Sequence, residues 1–352
     1  MNLNFVAPVN TLSYGYTALN LIKSLSRLET TVALFPIADK IEVTNQDDAD
    51  VIQQSLSNAR LFDVDAPCIR LWHQHDMSQF AGRGPRIGFP IFELDTFNDV
   101  EKHHLGCVDH LFVCSEWAAS VIRSNKIDVP TSVVPLGVDL SIFKCAPATP
   151  PKSPTIFFNG GKWEVRKGHD ILFEAFQRAF KKDDNVELWM MTANVFNSPA
   201  ENGLWTSKYA SPKVKIFPRM RTQEEVYNIM AKTDCGVFPA RAEGWNLEVL
   251  EMMACGKQVI TTDCTAHTEY CTPENSKLIT IDQMEPAFDG KWFHGQGQWA
   301  QLGEFQIQQL ADYMRSIHER KQRGEDLTND AGLDTAAEFT WENSARKLIQ
   351  HV

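Results

Sequence analysis

The stretch from Pro239 to Glu251 combines two carboxylates with a strand-to-helix turn that suits an anion. Glu243 lies in the turn, and Glu251 lies inside the helix that the sequence predicts to begin near Asn246. The first amides of a helix, together with the positive end of its dipole, attract a phosphate. Carboxylates on both sides of a phosphate can accept hydrogen bonds from hydroxyl groups, so the pattern indicates a nucleotide-sugar site. Taken alone, the same residues also fit an ordinary capped surface helix.

A second turn with cations follows the strand predicted over Thr155–Phe158. Gly161 precedes Lys162, and Lys167 follows before the next predicted helix. Glycine lets a ligand approach the backbone closely, and two cations can neutralise a diphosphate. Solvated lysines in a surface turn are an equally simple interpretation of this segment on its own.

Both turns need a scaffold that brings the ends of two strands together, and the rest of the sequence predicts one. Strand-like apolar runs alternate with helix-period segments from residue 4 to residue 135, and the alternation restarts at residue 155. Such alternation is typical of parallel β-α-β units, in which ligands bind beyond the carboxyl ends of the strands. The segment 146–154 contains four prolines in nine residues, which neither a helix nor a central strand tolerates.

We therefore predict an α/β protein with two Rossmann-like, doubly wound domains that face a cleft. The predicted domains are residues 1–147 and 148–330, joined by the proline-rich segment, with a C-terminal helix in residues 331–352. The aromatic-rich stretch 283–303 is predicted to be irregular, and we assign no chemistry to it.

Composition and charge limit the partners that the protein can bind. The 352 residues carry 34 Lys and Arg against 45 Asp and Glu, which disfavours DNA, RNA or an anionic membrane as the main partner. Arg70, Arg83 and Arg86 are the best candidates for a basic rim, although ordinary surface arginines are the simpler interpretation.

No apolar run reaches the ~18 residues of a membrane span. The N-terminus lacks a secretory signal pattern and the eight cysteines form no C-x-x-C pair, which favours a cytoplasmic location.

The two turns also resemble those of a known family. The segment 159–170 and the later segment 243–251 are similar to the second domain of GT-B-fold retaining glycosyltransferases of family four, the glycosyl transferases group 1. That family has a glycine followed by Arg or Lys, a further Lys before Gly, and later E-G-aromatic-G-x-x-x-x-E. The resemblance continues through residues 108–117, 134–139 and 250–260.

The resemblance implies the GT-B fold, with the closing helix packed back on the first domain, and it implies roles for four residues. Lys162, where the family more often has Arg, and Lys167 would neutralise the donor diphosphate and the leaving nucleoside diphosphate. Glu243 would face the transferred sugar and completes the implied catalytic set. Glu251 would hold the ribose hydroxyls.

Other donor contacts are implied in the same way. Asn246 stands where the family usually has Gly, which would alter the choice of sugar, and residues 217–221 fall where the family contacts the nucleobase. Gly15, in the loop after the first strand, would close over the diphosphate from the opposite lobe. The implied donor-binding residues are Gly15, Gly161, Lys162, Lys167, Arg219, Met220, Glu243, Gly244, Trp245, Asn246, Leu247 and Glu251.

The first domain offers three candidates for contact with the acceptor or the sugar: His73, His75 and Glu93. We expect the two histidines to point in opposite directions, so that holding a metal would need bends and a third ligand, and a structural role is the alternative. Glu93 stands where many relatives present a sugar-contacting His, and an ordinary carboxylate at a strand end is the alternative. The D-x-D triplet Asp63–Asp65 matches the metal-binding motif of another fold, and we do not favour that reading.

The expected function is retaining, metal-independent transfer of a hexose or pentose from a nucleoside-diphosphate sugar to a hydroxyl acceptor, with no cofactor. The expected acceptor is a glycan or glycoconjugate, and a nucleic acid acceptor is disfavoured. Two alternatives stay open. One is a GT-B-fold phosphorylase or epimerase. The other is a sugar-nucleotide-binding protein without turnover, which the departures at Lys162, Asn246 and Glu93 would suit.

Overall fold

The computed structural model describes residues 1–37 and 40–352, which form two compact units. The first unit comprises Met1–Gly137 and Phe339–Val352, and the second comprises Val138–Glu338. The proline-rich segment 146–154 therefore lies inside the second unit and not at its border. Ala146 donates a backbone hydrogen bond to Cys255, which holds the start of that segment on the second unit.

The first unit is built on a six-stranded parallel sheet with the strand order β2-β1-β3-β4-β5-β6. Its strands are β1 (Asn2–Ala7), β2 (Thr31–Pro36), β3 (Cys68–Leu71), β4 (Arg86–Phe89), β5 (His110–Val113) and β6 (Thr131–Val133). Its first helices are α1 (Ser13–Arg27), α2 (Gln46–Asn58), α3 (Asp99–Gly106) and α4 (Glu116–Ser124). The chain order reverses between β1 and β3, so this is the crevice where an open α/β sheet binds ligands.

The second unit is also built on a six-stranded parallel sheet, with the strand order β12-β11-β10-β7-β8-β9, so that two strands and not one lie beyond its first strand. Its strands are β7 (Thr155–Gly161), β8 (Val186–Thr192), β9 (Val214–Phe217), β10 (Cys235–Phe238), β11 (Gln258–Thr262) and β12 (Lys277–Ile279). Its helices are α5 (His169–Ala179), α6 (Pro199–Lys208), α7 (Gln223–Met230), α8 (Leu247–Ala254), α9 (Glu304–Gln322) and α10 (Asp330–Glu338). The reversal lies between β7 and β10, which pair in parallel.

Local sequence explains most of these boundaries. The buried strands are apolar on both faces because helices cover the sheet from both sides, as in β10, where all four residues are buried. Helix starts carry side-chain caps: Asn98 with Glu101 at α3, and Thr222 with Glu225 at α7, form capping boxes.

The stretch 283–303 corrects our prediction of an irregular segment. It forms an antiparallel hairpin of β13 (Met284–Phe288) and β14 (His294–Ala300), a two-stranded sheet that pairs with neither parallel sheet. A register shift between Pro286 and Phe288 interrupts the alternation that marks a strand in the sequence, which explains why the pattern was missed.

The last helix belongs to the first unit but is shorter than the predicted range 331–352, because α10 (Asp330–Glu338) belongs to the second unit. The last helix, α11 (Trp341–Gln350), packs on α1, and the rings of Tyr16 and Trp341 meet edge to face at 6.0 Å. A Cβ atom on Gly137 would lie 2.2 Å from the backbone of Thr340, so glycine is required where the two ends of this unit meet.

Candidate functional site

The two cation and carboxylate turns of the sequence lie side by side at the crevice of the second unit. The loop 162–168 follows β7, and the loop 239–246 follows β10, which is the neighbouring parallel strand. Their backbones are joined directly, since the amide of Arg241 donates to the carbonyl of Arg166 at 2.6 Å. Strand order therefore explains how residues about 80 positions apart come together.

Five charged side chains form one alternating chain of ion pairs across these loops. Lys162 Nζ lies 3.0 Å from Glu164 Oε1, and Arg166 Nη2 lies 2.9 Å from Glu164 Oε2. Arg166 Nη1 then reaches Glu243 Oε2 at 2.9 Å, and Lys167 Nζ holds Glu243 Oε1, also at 2.9 Å. Three cations face two carboxylates, which leaves this group with an excess of positive charge. Such a group can bind an anion.

Glu243 is the most strongly held member of the group. Its side chain is buried, its amide donates to Thr265 Oγ1 at 3.0 Å, and both carboxylate oxygens are paired. Burial acts to raise the pKa of Glu243, but Arg166 and Lys167 outweigh it and lower that pKa to about 2. Glu243 is therefore a fixed, ionised hydrogen-bond acceptor and not a proton donor at neutral pH.

Lys167 and Lys162 differ in exposure. Lys167 is mostly buried, and although burial acts to lower its pKa, the neighbouring Glu243 raises it, so Lys167 stays charged. Its side chain runs over Gly161, whose φ is +116° and where a Cβ would lie 3.0 Å from the lysine methylenes. The side chain of Lys162 is 41% exposed, so it can move to meet a ligand.

Helix α8 starts beside this group with no side-chain cap. Asn246 is its N-cap residue and has a left-handed backbone with φ of 77°, which Asn tolerates better than most residues. The side chain of Asn246 turns away from the helix and its Nδ2 lies 3.0 Å from Nε2 of the buried His267. Trp245 is also turned inward and its ring lies 4.8 Å from that of Tyr270. The first amides of α8, from Leu247 onward, are thus left to a ligand.

Glu251 lies one turn into α8 and is buried. Burial, with a smaller effect from Glu248, raises the pKa of Glu251 well above the ordinary value. A desolvated carboxyl group is suited to the hydroxyl groups of a ligand, which is the kind of contact that the resemblance implies for the ribose.

Within the second unit, two members of the implied donor set lie apart from the ion-pair group. Arg219 and Met220 are in the loop between β9 and α7, where Arg219 is exposed and Met220 is half-buried. Gly244, in contrast, is buried between Glu243 and Trp245 in the loop after β10. The structure thus groups the implied diphosphate and sugar contacts, while the implied nucleobase contacts lie at the sheet edge.

The candidates of the first unit gather at the corresponding crevice of its own sheet. Gly15 lies in the first turn of α1, where a Cβ would come within 2.3 Å of the Asn10 backbone. Tyr14 beside it lies 4.7 Å from the ring of His73, and its hydroxyl donates to Ile91 at 2.6 Å. Burial, and then Glu93, raise the pKa of Tyr14, so Glu93 is close to this group.

The two histidines correct our expectation that they point in opposite directions, which holds for adjacent residues of a strand and not for residues two apart. They lie beyond the end of β3 in a turn closed by a hydrogen bond from the Asp76 amide to the His73 carbonyl. The rings of His73 and His75 stack at 5.3 Å with an interplanar angle of 14°. No group of three or more His, Cys, Asp or Glu side chains that could hold a metal occurs in the described part of the chain.

The candidate basic rim is not a free basic surface. Arg70 is buried against Asp76 at 2.7 Å, Arg83 pairs with Asp65 at 2.6 Å, and Arg86 faces Asp109 at 3.8 Å. The pair between Arg83 and Asp65 also engages the D-x-D triplet at the surface. Within the described residues, no helix is long and apolar enough to cross a membrane.

Sequence reasoning missed three charged residues of the site: Glu164, Arg166 and Arg241. Arg166 and Arg241 are both buried, and Arg241 forms a bidentate pair with Asp170 at 2.7 and 2.8 Å. The sequence carried only a weak signal for these residues, because a buried charged residue in a turn has the same local pattern as a solvated one. They are buried because β7 pairs with β10, and the sequence does not show which strands are neighbours.

Comparison with known proteins shows which family the site segment is similar to. Residues 153–288 match the family described as Glycosyl transferases group 1, and this range contains both site loops. The chain is 23% identical over 278 residues to the provisionally named glycosyltransferase 45 of Sulfolobus islandicus filamentous virus, which covers 77% of this chain and 71% of that protein.

Solved structures confirm the predicted GT-B fold of this chain. Sucrose-phosphate synthase from Thermosynechococcus elongatus superposes with a TM-score of 0.71 at 15% identity, covering 100% of this chain and 98% of that one. Anabaena HepE in complex with UDP-glucose gives a TM-score of 0.70 at 14% identity, with 100% of both chains covered. At these identities the likeness concerns the fold, and the predicted family resemblance rests on the matched segment.

Proposed function

We propose that the enzyme transfers a sugar from a nucleoside-diphosphate sugar to an acceptor hydroxyl, with retention of anomeric configuration and without a metal ion. The observation that carries this proposal is the ion-pair group of Lys162, Glu164, Arg166, Lys167 and Glu243 beside the uncapped start of α8. Further support comes from HepE, which has the same fold and whose solved complexes contain UDP or UDP-glucose.

Each part of the group has a defined task in this proposal. Lys162, Lys167 and the amides of α8 stabilise the negative charge that develops on the leaving diphosphate, which is the role that a metal ion takes in other transferases. Glu251 accepts hydrogen bonds from the ribose. Glu243 accepts hydrogen bonds from the transferred sugar and stays ionised because Arg166 and Lys167 hold it.

The reaction then proceeds on one face of the sugar. The bond between the anomeric carbon and the diphosphate oxygen breaks, and the acceptor oxygen forms its bond to that carbon from the same side. The acceptor proton passes to the leaving phosphate oxygen, so the enzyme supplies no separate base. This assignment leaves Glu243 as an orienting group and not a nucleophile, in agreement with its two short ion pairs.

A sugar-nucleotide-binding protein without turnover is the competing proposal. It is favoured by one observation, namely that Asn246 replaces the usual glycine at the start of α8 and bonds to His267. A phosphorylase or epimerase has no comparable support from the site. We also propose a reducing, cytoplasmic compartment, with which the eight free cysteines agree.

The decisive experiment screens the purified chain against a panel of UDP-, GDP- and ADP-sugars. Thermal stabilisation identifies the donor, because a ligand that binds only the folded state raises the melting temperature. Release of the nucleoside diphosphate, with and without EDTA, then measures turnover and metal dependence. NMR of the product's anomeric proton reports retention.

The outcomes separate the alternatives. Stabilisation with EDTA-resistant release of the diphosphate and a retained anomer supports the proposal. Stabilisation without any release supports the binding protein. Loss of release in EDTA contradicts metal independence, and an inverted anomer contradicts the same-face mechanism.

A further inference from the structure

The hairpin of β13 and β14 is attached to the donor site at its base. The amide of Ala300 donates to the carbonyl of Arg241 at 3.0 Å, two residues before Glu243. Glu285 of β13 accepts from Trp299 Nε1 at 3.1 Å and lies 3.4 Å from Arg241 Nε. The base of the hairpin is therefore fixed to the same loop that carries Glu243.

The tip of the hairpin is attached to the other side of the site. Lys291 Nζ reaches Asn197 Oδ1 at 2.7 Å and Glu201 Oε1 at 2.6 Å, in the segment that follows β8. The ring of Trp292 meets the ring of Phe196 at 6.0 Å and 75°. Because these two attachment points follow β10 and β8, the hairpin lies across the carboxyl edge of the sheet of the second unit.

The tip is held in one conformation by its own hydrogen bonds. The Oδ1 atom of Asp289 accepts from the amides of Lys291, Trp292 and Phe293 at 2.8, 2.8 and 2.9 Å. The amide of Asp289 in turn donates to the carbonyl of Phe293 at 3.0 Å. Trp292 is thus presented on an ordered turn, which lowers the entropy that a ligand would have to overcome.

Phe196 and Trp292 form an exposed aromatic corner next to the predicted diphosphate cations. Phe196 is 55% exposed and Trp292 is 45% exposed, although large aromatic rings are usually covered. Lys162 Nζ lies 5.5 Å from the centre of the Phe196 ring. A ligand ring stacked on Phe196 would therefore lie beside Lys162, close to the bond that breaks.

The two cations next to the rings are each paired with a carboxylate, although the ion-pair group as a whole keeps one cation in excess. Lys162 is paired with Glu164, and Lys291 with Glu201, so each cation near the rings has a carboxylate partner. This balance favours a neutral ligand over a phosphate polymer or an acidic chain. A sugar ring fits these requirements, since its C–H face packs against an aromatic ring while its hydroxyls bond to charged and amide groups nearby.

We propose that Phe196 and Trp292 form an acceptor platform, which binds a neutral pyranose ring of the acceptor by stacking. The assignment of that ring to the acceptor rests on the proposed function, because it depends on Lys162 holding the leaving diphosphate. Glu251, the predicted ribose contact, lies on α8, whereas the platform adjoins Lys162. The platform therefore serves the acceptor and not the nucleoside of the donor.

Saturation-transfer NMR on the full chain tests the platform, with UDP present and with the methyl α-pyranosides of glucose, galactose and mannose as probes. We expect at least one probe to bind through its C–H protons. The double variant Phe196→Ala/Trp292→Ala should weaken that binding on the order of tenfold or more. Trp292→Phe should keep it, since a ring is retained. Phe305→Ala, which removes an exposed ring of α9, is the matched control.

Three results would overturn the platform. The first is that no probe binds to the unaltered chain, and the second is that the probes bind equally well to the double variant. The third is that UDP no longer stabilises the double variant against heat, which would show that the two rings bind the donor. Trp292→Ala alone is used in the same way if the double variant does not fold. Failure of the proposed function can be told apart from failure of the platform. In that case no UDP is released from UDP-sugars, while the probes still bind.

Discussion

Both six-stranded parallel sheets of this protein reverse their strand order beside their first strand, but the crevices at these two points carry different chemistry. In the second unit the crevice between β7 and β10 holds buried cations and carboxylates, with Arg166 and Glu243 at its centre. In the first unit the crevice between β1 and β3 holds rings, in which Tyr14 contacts His73 and His73 stacks on His75.

The difference shows that the fold supplies a position and the loops supply the chemistry. A crevice with excess positive charge suits a diphosphate, whose binding is electrostatic. A crevice of rings and histidines suits a neutral group that is recognised by stacking and hydrogen bonds. The comparison therefore predicts that substitutions in the ion-pair group of the second unit affect the donor and the rate, whereas those among the rings of the first unit's crevice affect the acceptor.

The largest expected effect is that of Lys167→Ala. Without this buried cation the charge on the leaving diphosphate is less stabilised, so kcat should fall by on the order of 10²–10³-fold. The measurement is release of nucleoside diphosphate under saturating donor. Lys182→Ala, which removes an exposed lysine of the same unit, should leave kcat unchanged. Near-normal turnover of the Lys167 variant would remove the basis of the assignment.

Arg166→Met should reduce kcat by roughly tenfold to a hundredfold and lower the free energy of unfolding by about 3–5 kcal/mol, because it leaves buried carboxylates without their partner. Glu243, with a pKa of about 2, is held below its ordinary value of 4.5. Its contribution to stability is complete above that ordinary value and is lost as the pH falls toward 2. In the variant the pKa of Glu243 rises, so the acidic limb of the rate profile moves to higher pH.

Denaturant unfolding and a pH series of kcat measure these two effects. Arg123→Met, on an exposed arginine of α4, is the control. A change in stability with an unmoved acidic limb would show that Arg166 only supports the fold.

Glu251→Gln should weaken the binding of the nucleoside diphosphate by roughly tenfold, since one acceptor of the ribose hydroxyls is lost. The same substitution should not lower the stability of the folded chain. Burial raises the pKa of Glu251, so ionisation of this group opposes folding as the pH rises, and the neutral amide removes that cost. The melting temperature should therefore stay equal or increase while titration calorimetry shows weaker binding. Glu319→Gln on α9 is the control, and unchanged affinity would exclude the ribose role.

His73→Ala should have the smallest effect, a rise in the KM for the acceptor of roughly threefold to tenfold, as expected for one lost hydrogen bond. The affinity for the donor should not change, because the ion-pair group lies in the other unit. His103→Ala, on the exposed side of α3, is the control. A loss of donor affinity in the His73 variant would contradict the assignment of the acceptor to the first crevice and the donor to the second.

Local patterns alone predicted much of the fold. The strand predicted over Thr155–Phe158 lies within β7, and the helix predicted to begin near Asn246 begins at Leu247. The prediction failed where a bulge breaks the alternation of a strand, as in the hairpin of β13 and β14.

The sequence by itself determined the order of elements, the repeated α/β plan and the residue types of both turns, because these depend on interactions between near neighbours in the chain. The tertiary structure alone decided that Arg166 lies between Glu164 and Glu243, that the two histidines stack, and that Phe196 meets Trp292. These contacts depend on which strands are neighbours in the sheet. Strand order arises from the packing of the whole unit, and no local pattern encodes it.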